Sequence, residues 1–202
     1  MSAVMSRLFD DAPNYASTSF PDPRPFQQAA HESLRQGFLE GHKNQLIMAP
    51  TGAGKTYLGH RIAHEALVKG RKVVFLCDRT TLINQTSKAA DAYGLAAHGI
   101  VQANHWRRNT EMPYQIASAQ TLAKRGYWPD ADVIIIDEAH TQLKVWTEFI
   151  QNTKAACIGL SATPFSPGLG KLFTNLINAT TMHALTQSGV LVPMRVFSCK
   201  RA

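Results

Sequence analysis

The apolar positions of this 202-residue chain follow two rhythms. Over residues 26–40, Phe26, Ala29, Ala30, Leu34 and Phe38 recur near a 3.6-residue period and stop at Gly41, which predicts an amphipathic helix. Further helices are expected over 55–69, closed by Gly70, over 82–93, in a short stretch after Ser118, around 147–151 and near 169–177. Between them lie short apolar runs at 46–49, 72–77, 114–118, 133–136 and 156–160. The clearest, Val133-Ile134-Ile135-Ile136, is β-branched and apolar at every position, so both of its faces should be covered. Strands of this kind alternating with helices predict an α/β fold, a mostly parallel sheet with helices on both faces.

In such sheets a ligand sits beyond the carboxyl ends of the strands. The informative loops are therefore those after Ala49, Cys77, Ser118, Ile136 and Leu160, and the polar and glycine-rich segments of the chain fall on them. The first 23 residues behave differently. They are rich in Ser, Pro, Asp and Asn, carry no apolar leader, and alternate Pro21, Pro23 and Pro25, which predicts a flexible arm over 1–23.

Composition narrows the classes. Hydrophobic residues at 45% and charged residues at 17% suit a packed domain, and no run approaches the ~18–20 apolar residues of a helical membrane span. Cys77, Cys157 and Cys199 are odd in number and far apart, which excludes a disulfide scaffold or a Cys-x-x-Cys metal site and suits a reducing, cytoplasmic setting, nucleoid-associated if bacterial. Lys and Arg number 21 against 14 Asp and Glu, a net +7 that suits either a polyanionic partner or ordinary solubility.

Two segments carry candidate chemistry. Ala49-Pro50-Thr51-Gly52-Ala53-Gly54-Lys55-Thr56 follows an apolar run and opens a helix. Glycines 52 and 54 allow backbone N–H groups to turn inward around a phosphate, and the helix start adds its positive dipole end. Lys55 suits the β- and γ-phosphates and the Thr56 hydroxyl suits Mg²⁺. Asp137-Glu138-Ala139-His140 follows the apolar strand directly. Asp137 there supplies a second Mg²⁺ anchor and Glu138 a group to orient and deprotonate water; the plainer reading is charge at a helix start.

These segments, with Ser161-Ala162-Thr163 after them, resemble motifs I, II and III of superfamily 2 helicases and translocases. The Ala49 start of the phosphate loop is common in that superfamily. Arg24-Pro25-Phe26-Gln27-Gln28 resembles the Arg-x-aromatic-Gln form of the adenine-reading Q motif, with Pro23 where Leu is frequent. That likeness implies Gln27 on the adenine edge and Arg24 near the base. Residues 77–85, with Arg79, Leu82 and Gln85 after a strand, resemble motif Ia, and Ser118-Ala119-Gln120-Thr121-Leu122 resembles the later Gln-Thr motif. These imply backbone contacts to one nucleic-acid strand from Arg79, Gln120 and Thr121, while helix capping by Thr80, Thr81 or Ser118 is the simpler reading.

The resemblance spans 24–197 and implies a RecA-like phosphate-loop NTPase domain of DEAH type, nearest in look to DNA-repair and restriction-type translocases. It implies ATP and Mg²⁺ as ligands held by Arg24, Gln27, residues 50–56 and Asp137. Catalytic roles fall to Lys55, Glu138 and His140, and coupling roles to Ser161 and Thr163. The expected partners are DNA, single or double-stranded, ahead of RNA, and a second RecA-like domain entered from residues 198–202; alone, the chain should hydrolyse ATP near background. A phosphate-loop regulatory module without translocation fits the same motifs. A small-molecule kinase does not, having no use for Ser161-Ala162-Thr163 or the Arg-x-Phe-Gln segment.

Several residues stay open. His105-Trp106-Arg107-Arg108 is the densest basic and aromatic cluster, suited to clamping a single strand or to a solvated loop with a half-buried indole. Lys124 and Arg125 are equally ambiguous. Trp128 and Trp146 read as packing residues, His60 and His64 as a packed or solvated face of a helix, and Cys77 and Cys157 as small hydrophobes.

Overall fold

A computed structural model describes residues 19–102, 105–126, 128–141 and 143–193. The expected arm over 1–18, the side chain of Trp146, Cys199 and the exit through residues 194–202 lie outside what is described. In chain order the elements are α1 (Pro25–Leu39), β1 (Asn44–Met48), α2 (Lys55–Val68), β2 (Val73–Cys77), a 3₁₀ turn (Thr80–Leu82) running into α3 (Ile83–Ala92), and β3 (Gly99–Val101). Next come β4 (Tyr114–Ser118), α4 (Ala119–Arg125), β5 (Val133–Ile136), α5 (Leu143–Asn152), β6 (Ala156–Ser161), α6 (Leu169–Leu172), β7 (Asn175–Asn178) and α7 (Met182–Gln187). The seven strands form one sheet in the order β3-β4-β2-β5-β6-β1-β7, and every pairing is parallel.

Strand pleating explains the continuous apolar runs. Val73, Phe75, Cys77, Ile135, Ile158 and Leu160 enter one core with Leu34 of α1, Leu58 and Ile62 of α2 and Ile83 of α3. Val74, Leu76, Ile134, Ile136 and Cys157 enter the other with Leu122 of α4, Ile150 of α5 and Leu169 of α6. Successive residues of a strand face opposite layers, so a strand covered on both sides must be apolar throughout. Each fully buried Phe or Ile contributes about 1.5–3 kcal/mol, which is what holds the strands at the centre of the sheet.

Residues 169–177 do not form the one helix expected of them. The helical turn ends at Leu172, and Asn175 to Asn178 line up against Gln45 to Met48 of β1. The cause is nonlocal: β1 is a buried strand with one side otherwise unpaired, and its backbone groups need partners. Asn175 strengthens the choice by donating from Nδ2 to Gln45 Oε1 at 2.8 Å. Sequence periodicity also misses β3, only three residues long, and α7, whose start is capped by Thr181 Oγ1 accepting from the Ala184 N–H at 3.1 Å.

Residues 19–23, assigned to the arm from sequence, lie against α2. The Phe20 ring packs 5.4 Å from Tyr57, 5.0 Å from His64 and 5.2 Å from Tyr93, and the Tyr57 hydroxyl donates to the Pro21 carbonyl at 2.6 Å. His60 and His64 are both buried in this layer, a packed face rather than a solvated one. Trp128 stacks on Phe149 with centroids 3.7 Å apart, as its packing assignment expects. No helix among the described residues is long and apolar enough to cross a membrane.

Candidate functional site

The sheet order brings the sequence motifs together along one edge. The loops after β1, β6 and β5 leave adjacent strands, and those after β2 and β4 continue the row. The first three loops are tied to one another, whereas the last two are open.

The glycine-rich loop turns through two left-handed residues, Gly52 at φ 87° and Gly54 at φ 83°. A methyl group at Gly54 would come within 2.7 Å of Gln27 Nε2, and one at Gly52 within 2.7 Å of Leu191 Cδ2. Both positions therefore exclude a side chain on conformation and on space, and within the loop the Ala53 N–H donates to the Pro50 carbonyl at 3.0 Å. Gly54 caps α2, so Lys55 and Thr56 form its first turn. The Ala49 N–H donates to the Ser161 carbonyl at 2.9 Å, which fixes the loop to the end of β6.

Gln27 is buried beside this loop. Its Nε2 donates to the Ala53 carbonyl at 2.9 Å, and its Oε1 accepts from the Arg24 N–H at 2.9 Å. The side chain thus braces the phosphate loop and closes the start of α1 at once. Each amide end retains one further hydrogen-bonding capacity, so these ties leave room for a base edge. Arg24 itself is exposed.

Lys55 and Glu138 join the second loop to the first, with Nζ 3.4 Å from Oε1. Glu138 holds φ 48°, the sole non-glycine residue at positive φ among those described. Such a backbone is strained and persists where surroundings fix it. Here the Ala139 N–H donates to the Leu160 carbonyl at 3.0 Å, and both the N–H and hydroxyl of Thr141 donate to the Glu138 carbonyl at 2.9 Å. Asp137 stands at the end of β5, and burial, reinforced by the Glu138 charge and opposed by Lys55, pushes its carboxyl up to about 6. A carboxylate held this way gains from a cation set against it.

The third loop enters through His140, whose Nδ1 lies 3.0 Å from Ser161 Oγ and 3.5 Å from Glu138 Oε2. Ser161 Oγ is fully buried and accepts from the Thr163 N–H at 3.0 Å. His140, Glu138, Ser161 and Thr163 are therefore one connected polar unit. Nothing in the composition of the Ser-Ala-Thr segment announces that its serine is the hub; spacing alone gives only its place after a strand.

Beyond β5 the edge changes character. Arg79 is 76% exposed at its side chain, its Nε 3.6 Å from the Asp78 carboxylate. Gln120 is exposed and Thr121 half-buried in the first turn of α4. The alternative reading of this region as helix caps finds no support: neither the residue that starts the 3₁₀ turn, Arg79, nor Ser118, which starts α4, makes a side-chain cap bond. Ser118 Oγ is buried with no hydrogen-bond partner among the described residues, and Thr80 and Thr81 lie within the turn rather than before it. Lys124 and Arg125 are exposed in the last turn of α4. Burial pushes both the Cys77 and Cys157 thiols up to about 12, so both are inert core groups.

Comparison with known proteins adds a lineage to this geometry. Residues 20–166 match the family model described as Type III restriction enzyme, res subunit. The chain is 27% identical over 168 residues to the Type I restriction enzyme EcoAI endonuclease subunit of Escherichia coli, covering 74% of this chain and 20% of that protein's length. A nuclease-deletion mutant of the Type ISP restriction-modification enzyme LlaGI, solved in complex with a DNA substrate mimic, superposes with TM-score 0.66 at 20% identity over 84% of this chain and 21% of that one. The Pyrococcus furiosus Hef helicase domain superposes with TM-score 0.62 at 22% identity over 77% of this chain and 37% of that one. At these identities the structural likeness speaks to the fold.

Proposed function

The chain belongs to the Type III restriction enzyme res subunit family and is a helicase- or translocase-like ATPase domain of superfamily 2 with a RecA-like fold; from that premise we propose that it is the DEAH-type ATP-binding half of a DNA-translocating motor. The observation that carries this reading is the direct contact between Lys55 of the phosphate loop and Glu138 of the acidic box, at 3.4 Å. It places a cation and a base at one point, beside the glycine-rich loop.

In this reading residues 50–56 cradle the triphosphate, Lys55 leaves Glu138 for the β- and γ-phosphates, and Gln27 and Arg24 meet the adenine. Thr56 and Asp137 would hold Mg²⁺, which would supply positive charge against the phosphates. The fit rests on the donor set, the Thr56 hydroxyl in the first turn of α2 and the half-buried Asp137 carboxylate at the end of β5, hard oxygen donors of the kind Mg²⁺ takes. Once Lys55 turns to phosphate, Glu138 is free to take the proton of the attacking water. His140 and Ser161 transmit the state of Glu138 to Thr163 through their hydrogen bonds. Arg79, Gln120 and Thr121 contact the sugar–phosphate backbone of one strand.

DNA is favoured over RNA because the similar restriction-modification enzyme was solved with a DNA mimic and the matched family is of restriction enzymes. Arg24 precedes α1 and Arg79 follows β2, and the superfamily resemblance assigns neither to the γ-phosphate. We therefore assign the arginine finger to a second RecA-like domain; such a residue is worth about 10³–10⁵ in rate. Residues 1–202 alone are expected to turn over ATP near background. The test is ATP turnover by the full-length protein with and without DNA. Stimulation by DNA supports a motor; tight ATP binding with turnover indifferent to DNA and RNA supports a regulatory nucleotide switch instead.

A further inference from the structure

The β3 flank of the sheet, beyond β4, carries a group that the nucleotide chemistry leaves unused. Trp106 is 80% exposed, the largest side chain so placed among the described residues. Its ring is nevertheless held. Arg107 lies over the indole at 4.7 Å and the His105 ring stacks beside it at 5.9 Å with planes 26° apart. Both supports are anchored in turn. Arg107 Nη1 donates to Asp91 Oδ1 at 2.7 Å and to His98 Nε2 at 2.9 Å, and the Arg107 carbonyl accepts from the Ile100 N–H at 3.0 Å. His105 Nε2 donates to Asn84 Oδ1 at 3.0 Å, on the first turn of α3, five residues after Arg79. An exposed indole fixed by two buttresses loses little freedom on binding, unlike one on a loose loop.

The indole also walls a recess of about 360 Å³, together with Ala96, Ala97, Arg107, Arg108 and Met112. That is room for a flat heterocycle against the ring. Arg108 is exposed and forms no ion pair with a described residue, leaving a cation at the rim for a phosphate. A rigid aromatic face, an adjoining recess and a free guanidinium are the components of a single-strand stacking platform. β3 adjoins β4 at this flank of the sheet, and the recess opens on the side of residues 96–98 and 109–112, which lead into those two strands.

We propose that Trp106 stacks an unpaired nucleobase on the β3 flank, with Arg108 on the adjacent phosphate; this rests on the nucleic-acid reading given above. A base on an aromatic face is worth about 5- to 150-fold in affinity when the ring is removed. The full-length protein is titrated with an oligo(dT) and with an abasic oligonucleotide of equal length, each carrying a fluorophore, for wild type, Trp106→Ala and Trp106→Phe. The expected result is a loss of at least fivefold for Trp106→Ala on oligo(dT), no loss on the abasic strand, near-normal binding by Trp106→Phe, and an unchanged salt slope. Quenching of tryptophan emission by oligo(dT) should vanish in Trp106→Phe. Equal affinity of Trp106→Ala and wild type for oligo(dT), or an equal loss on both strands, overturns the stacking site alone. A blue-shifted, acrylamide-protected Trp106 emission before any strand is added overturns it in favour of a protein contact. Wild type that binds neither strand refutes the nucleic-acid reading itself.

Discussion

The two stretches of the sheet's carboxyl edge are built on opposite plans. Along β5, β6 and β1 the functional side chains hold one another: Lys55 meets Glu138, Glu138 meets His140, His140 meets Ser161, and Gln27 ties the phosphate loop to α1. Along β2 and β4, Arg79 and Gln120 stand in solvent and the Ser118 hydroxyl has no hydrogen-bond partner among the described residues. A small, highly charged ligand that must be cut at one bond needs groups fixed before it arrives, because positioning is most of the catalysis. A polymer gripped by its backbone and released at each step is better served by exposed, separately weak contacts.

The largest test of the fixed half is Glu138→Gln in the full-length protein. The change keeps shape and removes basicity, so ATP binding should persist while turnover falls by about 10²–10⁴, read by single-turnover hydrolysis. Near-normal hydrolysis would move the base to another residue and dissolve the contrast at its strongest point.

Next in size is the joint between the halves. His60 of α2 donates from Nε2 to the Thr86 carbonyl of α3 at 3.1 Å, linking the helix that starts at Lys55 to the one that follows Arg79. Burial, partly offset by that bond, holds its pKa at about 4 against an ordinary 6.5. A folded pKa below the unfolded one means stability present above pH 6.5 and lost as pH falls through 4, about 3 kcal/mol across the window. Denaturant melts at pH 7 and pH 4.5 should show this loss, and His60→Gln should flatten that part of the profile. A profile unchanged by the substitution would assign the acid lability elsewhere.

Gln27→Ala sharpens the comparison within the fixed half. It strips the Ala53 carbonyl and the Arg24 N–H of their side-chain partner at a buried site, which costs about 1–3 kcal/mol in stability. If Gln27 also reads adenine, preference for ATP over GTP should drop as well. A melting shift with selectivity intact would leave Gln27 a brace alone.

The smallest effect belongs to the open half. Arg79→Ala should weaken DNA binding only a few-fold and lower the salt slope by about one unit, with basal ATPase unchanged. A loss as steep as that of Glu138→Gln would show that the open edge is as tightly assembled as the fixed one.

The same division decides how much could be read from the chain. The parallel sheet follows from runs such as 133–136, because a strand covered on both faces cannot hide the fact in its composition. That Lys55 and Glu138 meet is legible because both follow apolar strands, whose carboxyl ends share one edge of a parallel sheet. Thr80, Thr81 and Ser118 mislead, since a hydroxyl before a helix looks the same whether it caps, waits for a ligand or is buried alone. Trp106 misleads in the other direction: an indole in a polar loop suggests half-burial, and only its buttresses show why it stands 80% exposed.

The sequence by itself determined the covered parallel strands, the glycine-rich turn into α2 and the acidic residues at the end of β5, all properties of a few neighbouring residues. Tertiary structure decided the rest. It turned residues 175–178 into a strand because β1 had an edge to satisfy, made Ser161 the hub between His140 and Thr163, held Glu138 in a left-handed backbone, and set Gln27 under Ala53. Each joins groups distant in sequence or pinned by distant partners, and such contacts form only when folding has already met the cost of closing the loops between them.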